Sequence, residues 1–137
     1  MVMPTLSVEI IGLLVGIGLG IVHIVLASHS ASLQRGYRWS AGARDESLPP
    51  LQGVAGRLAR ASSNYLETFP FFAAAALAVV VTNSHSAWST WGVYLYFAGR
   101  LAYLPLYAFG VYLLRSLVWN VAMLGMALLC IAVLLGP

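Results

Sequence analysis

A chain of 137 residues that is 61% hydrophobic and only 8% charged, with a mean hydropathy of +0.87, is not a soluble globular domain, where about a quarter of residues carry charge. The length fits one domain, residues 1–137, with room for four apolar helices of about 20 residues and short connections. The net charge of +3 does not indicate nucleic-acid binding, because the basic residues are dispersed among apolar runs and form no basic face.

The first apolar run, about 6–28, starts without the positive leader of a cleaved signal and reads as a retained transmembrane helix. Gly12, Gly16 and Gly20 recur every fourth residue and put one smooth face on it. Residues 29–52 form the long polar connection, with Arg35, Arg38, Arg44, Asp45 and Glu46, ended by Pro49-Pro50. A second helix is expected over about 53–81, a short turn without basic residues follows, and further helices cover about 88–113 and 116–135. Trp88, Trp91 and Trp119 stand near helix ends, where interfacial aromatics belong. All seven basic residues are arginine. Their bias puts the 29–52 connection and the turn at Arg115 in the cytoplasm and both termini outside. The lone Cys130 lies in an apolar run and allows no internal disulfide. The absence of lysine among many Ala, Gly, Leu and Arg residues suggests GC-rich coding and a bacterial inner membrane.

Two of these helices carry polar residues that align. At about 100° per residue, Arg57, Arg60, Asn64 and Glu67 fall within an arc of roughly 80° on the second helix. On the third, Tyr96, Arg100, Tyr103 and Tyr107 fall within roughly 60°. Such groups are costly in hydrocarbon, so they should face the bundle interior or a subunit interface. Arg100 needs a counter-charge, and Glu67 is the main intramembrane candidate. An internal Arg100–Glu67 network would satisfy the stripes without any ligand. Alternatively, Arg57, Arg60, Arg100 and Arg115 outnumber the single glutamate, and an anionic ligand supplies the missing charge through forked hydrogen bonds.

The run Arg60-Ala61-Ser62-Ser63-Asn64-Tyr65-Leu66-Glu67-Thr68-Phe69-Pro70-Phe71-Phe72 resembles the helix-two signature of the MAPEG superfamily, the membrane-associated proteins of eicosanoid and glutathione metabolism. Gly99-Arg100-Leu101-Ala102-Tyr103 with Tyr107 is similar to the family's helix-three pattern, and Leu114-Arg115-Ser116 to the arginine that opens its fourth helix. The resemblance implies an all-α integral-membrane four-helix bundle of left-handed up-down topology, assembling as a homotrimer. It also implies glutathione as cosubstrate, held between subunits by helices one and two of one and helices three and four of another. By the same resemblance Arg35, Arg60, Asn64, Glu67, Arg100, Tyr103 and Tyr107 contact glutathione, and Arg115 stabilises its thiolate. Thr68 replaces a tyrosine found in some members, and Ser62 and Ser63 replace larger polar residues. The family's non-catalytic lipoxygenase-activating branch lacks the arginine and glutamate that stand here as Arg60 and Glu67.

Glutathione carries two carboxylates and one ammonium, which several arginines and one glutamate complement. A free thiol has a pKa of roughly 8.5, so a cation beside the sulfur raises the reactive thiolate fraction. The expected catalytic residues are therefore Arg115, beside the sulfur, and Ser116 or a tyrosine hydroxyl as hydrogen-bond donor. The thiolate would attack a lipophilic small-molecule electrophile or reduce a lipid hydroperoxide, giving a transferase or peroxidase. Two other readings compete: a non-catalytic protein that binds lipid or a partner, and a small anion channel or transporter, which the apolar stretch FFAAAALAVVV disfavours. His23, His29 and His85 have no metal-ligand spacing, so no metal is expected.

Overall fold

The computed structural model describes residues 6–136, and among them the chain is helical with no strand. Four long helices, α1 (Val8–Arg35), α3 (Gly53–Thr82), α4 (Ala87–Phe109) and α5 (Tyr112–Leu135), are joined by a five-residue helix, α2 (Tyr37–Ala41), in the polar connection. Connections of a few residues leave α3, α4 and α5 little choice but to run up and down beside one another. α1 packs chiefly on α3, and α4 on α5.

Local chemistry sets the boundaries. Ser7 caps α1 by accepting from the Ile10 amide. The helix continues past its apolar run to Arg35, seven residues beyond the expected end, because HSASLQR contains no breaker until Gly36 turns the backbone at φ 93. Ser86 and Ser89 form a reciprocal capping box that starts α4. Gly110, left-handed at φ 78, stops α4 at Phe109, and α5 begins at Tyr112 instead of 116. Arg115 therefore lies in the first turn of α5 and not in a connection.

Three helices, α1, α3 and α5, are long and apolar enough to cross a membrane by length and composition. α4 has the length, but Arg100 and its tyrosines and serines dilute its apolar character. The interior holds Tyr65, Phe72, Val93, Tyr96, Phe97 and Leu129. Large apolar side chains such as Phe71, Val81, Leu117 and Leu134 face outward. Outward apolar surface on this scale suits lipid or other subunits, not water.

The glycine face of α1 receives aromatic rings. A Cβ at Gly16 would collide with the Phe69 ring, and one at Gly20 would meet Tyr65 at 3.2 Å. His23, Tyr65, Phe69, Phe72 and Tyr96 then stack in succession, with neighbouring centroids 4.0–6.2 Å apart. Between α4 and α5 it is backbone that comes this near: a Cβ on Gly125 would lie 2.6 Å from the Tyr96 amide nitrogen.

Candidate functional site

Arg100 lies at the centre of the polar stripes, fully buried in α4. Its Nη1 donates to Asn64 Oδ1 at 2.9 Å, and its Nη2 reaches the Asn64 carbonyl at 3.4 Å. The rings of Tyr65, Tyr96 and Tyr103 surround the guanidinium at 5.3–5.8 Å, in cation–π range. The expected Arg100–Glu67 pair is absent. Asn64, one turn earlier on α3, takes the guanidinium, while Glu67 turns outward and accepts a 3.1 Å hydrogen bond from Ser63 Oγ. Arg100 is thus held by neutral groups, and its positive charge is not cancelled locally.

The stripe on α3 divides by function. Arg57 Nε donates to the Ala108 carbonyl at 2.7 Å, satisfying an acceptor left open at the end of α4. Arg60 and Glu67 lie exposed on the outer face of the single chain. Thr68, in place of a tyrosine, bonds back to the Asn64 carbonyl at 2.9 Å.

Asn64, Tyr103, Tyr107, Arg115, Ser116, Trp119 and Asn120 line one open cleft of about 380 Å³ between α3, α4 and the start of α5. The Arg115 guanidinium lies 4.4 Å from the centre of the Tyr107 ring, and the Tyr103 and Tyr107 rings are 5.3 Å apart. Ser116 Oγ donates to the Tyr112 carbonyl at 3.1 Å, so its proton is engaged within the helix. No side chain caps α5, whose first-turn amides add to the positive potential at this end. No carboxylate lines the cleft. Its one formal charge is that of Arg115, with the buried Arg100 behind it.

Spacing puts Asn64 on one polar stripe and Arg100, Tyr103 and Tyr107 on another, and the fold brings these four residues together. Arg35 does not line this cleft; it borders a separate one beside α2. Trp119 and Asn120 were not expected here. Trp119 is more than an interfacial anchor: it lines the cleft, and its buried Nε1 has no partner among the described residues. Asn120 Nδ2 bonds the Ser116 carbonyl at 2.8 Å. Their spacing on α5, one turn after Arg115 and Ser116, was the available signal.

Two further buried groups also escaped the sequence reading. His23 is 1% exposed, stacked on Tyr65 at 4.7 Å, with neither ring nitrogen hydrogen-bonded among the described residues. At the other end Glu9, missing from the count of charges, is 1% exposed and accepts from His85 Nδ1 at 3.0 Å, the one contact between a carboxylate and a basic side chain at ion-pair distance among the described residues. Because Glu9 is matched there, it does nothing for the arginines of the cleft. Among the described residues no three His, Cys, Asp or Glu side chains gather as a metal site would require.

Membrane-length helices around an arginine-centred polar interior define an integral membrane protein, with an open cleft that carries positive charge at one end. Residues 12–135 match the MAPEG family, and the chain belongs to it. Neither the curated proteins nor the solved structures contain a significant match.

Proposed function

We propose that this MAPEG-family chain is a glutathione-dependent membrane enzyme, a transferase or peroxidase that activates glutathione as its thiolate against lipophilic substrates. The observation that carries this reading is the cleft of Asn64, Tyr103, Tyr107, Arg115 and Ser116, which has a cationic wall and no carboxylate. A peptide with two carboxylates and a thiol supplies the negative charge that such a wall lacks.

In this reading Arg60, Asn64, Arg100, Tyr103 and Tyr107 bind glutathione, with Glu67 taking its ammonium. Arg60 and Glu67 face outward, and in hydrocarbon they need cover. A neighbouring copy in a homotrimer gives that cover and completes the site. Arg35 borders a different cleft, and the glutathione site in this reading does not use it. α4 crosses the membrane with the other three long helices, both termini lie outside, and the cleft opens on the cytoplasmic side of a bacterial inner membrane.

Arg115 holds the sulfur as thiolate. In conjugation the sulfur forms a bond to an electrophilic carbon while the leaving group departs with its electron pair. In peroxide reduction two glutathione molecules give the disulfide, the lipid alcohol and water. Ser116 donates to the thiolate only after leaving the Tyr112 carbonyl, so a tyrosine hydroxyl on α4 is the nearer alternative.

The test is thermal unfolding of the detergent-purified protein against millimolar glutathione, with Arg60→Ala beside it. Ligand that binds only the native state stabilises by about 2.7 kcal/mol at a hundredfold excess over Kd. A saturating rise in Tm that Arg60→Ala loses supports the reading; no rise in either protein refutes it. A second reading, a non-catalytic lipid- or partner-binding protein of the same fold, draws on the internal engagement of Ser116 and the stacking of Arg115 on Tyr107. It predicts no turnover with any electrophile even where glutathione binds.

A further inference from the structure

A second cleft, of about 520 Å³, lies beside α2 and is lined by Arg35, Arg38, Trp39, Arg44, Asp45 and Glu46 among others. Trp39 lines it with two arginines over its ring. The Arg35 guanidinium stacks 4.9 Å from the Trp39 ring and that of Arg44 5.8 Å from it, while Arg44 also donates to the Ser40 carbonyl through Nε and Nη2 at 3.0 and 2.7 Å. Arg35 Nε and Trp39 Nε1 are buried donors without a partner among the described residues. Buried donors of this kind ordinarily have a partner, so each calls for an acceptor. Asp45 and Glu46 share the cleft with three arginines, yet neither lies within ion-pairing distance of them, since the one contact at that distance among the described residues is at Glu9.

Depth in the membrane narrows the choice of ligand. With 28 residues, α1 is about 42 Å long, against about 30 Å of hydrocarbon. If its Glu9 end sits at one interface, its last two turns emerge from the hydrocarbon at the other. Arg35 and α2 then lie at the level of the lipid headgroups, where an exposed Tyr37 and a half-buried Trp39 are also at home.

We infer that this cleft binds a phospholipid headgroup bearing both a phosphate and a primary ammonium. Arg38, Arg35 Nε and Trp39 Nε1 hold the phosphate, and Asp45 and Glu46 hold the ammonium. A ligand with both signs explains why arginines and carboxylates face one cleft without pairing. It also distinguishes the site from a plain basic patch, which would favour anionic lipids.

Native mass spectrometry of the detergent-purified protein, titrated with phosphatidylethanolamine, phosphatidylglycerol and phosphatidylcholine of identical acyl chains, tests the inference. Phosphatidylethanolamine is expected to bind about tenfold more tightly than phosphatidylcholine, one charge-assisted hydrogen-bonding interaction's worth. Arg38→Gln should weaken it by about tenfold, and Asp45→Asn with Glu46→Gln should erase its advantage over phosphatidylcholine. These side chains are exposed, so the variants fold; an unchanged helical circular dichroism spectrum checks this. Equal binding of all three lipids, or a preference for phosphatidylglycerol, overturns the inference. Soluble glycerophosphoethanolamine binding as tightly as the lipid overturns the membrane source of the headgroup.

Discussion

Glu9 and Arg100 are both shielded almost completely from solvent, at 1% and 0% exposure, and the two ends of the bundle treat them differently. Glu9 meets an imidazole 76 residues away, which ties the start of α1 to the α3–α4 turn. Arg100 meets an amide and three aromatic rings, all neutral. A buried carboxylate that hydrogen-bonds an imidazole able to carry the opposite charge acts as a structural tie between two elements. A buried charge held only by dipoles keeps its field, and that field reaches the adjoining cleft.

The sharpest way to break this comparison is to remove the cation at the proposed sulfur position. Arg115→Ala should lower turnover by about 10²–10³-fold, the cost of losing one preorganised electrostatic partner, with a much smaller change in glutathione binding. Steady-state conjugation kinetics check it; unchanged turnover moves thiolate activation to another residue. Arg60→Ala should remove the glutathione-dependent stabilisation of about 2.7 kcal/mol at a hundredfold excess, read as loss of the Tm shift.

Smaller effects sharpen the contrast between tie and site. Gly125→Ala should cost about 1–3 kcal/mol, because the new Cβ meets the Tyr96 and Gly92 backbone, which cannot move aside as a side chain can. Denaturation should show the loss, and the Kd for glutathione should rise with it, since α4 and α5 form two walls of the cleft. Glu9→Gln should cost about 1 kcal/mol, the difference between a charged and a neutral hydrogen bond. It should leave glutathione affinity unchanged in isothermal titration; an altered affinity would mean that the two ends are coupled.

Much of this was legible in the sequence because both signals are periodic. Hydropathy delimits α3 to within a residue of its observed end, and the 100° rule puts Asn64 on the polar stripe of one helix and Arg100, Tyr103 and Tyr107 on that of the next. The partner choice was not legible. Asn64 and Glu67 are one turn apart, and a wheel cannot say which one a long arginine reaches. Nor were the end of α1, the end of α4 and the start of α5, since apolarity marks lipid depth whereas Gly36 and Gly110 mark where helices stop. Glu9 was hidden by its position within an apolar run. Its partner His85 lies 76 residues away, a separation at which no periodicity operates.

The ultraviolet thiolate absorbance of protein-bound glutathione at neutral pH reads directly whether the unmatched positive charge at the cleft holds glutathione as a thiolate. The native chain should show a thiolate band that Arg115→Ala loses while still binding glutathione. Glutathione bound to the native chain with no thiolate band would contradict it.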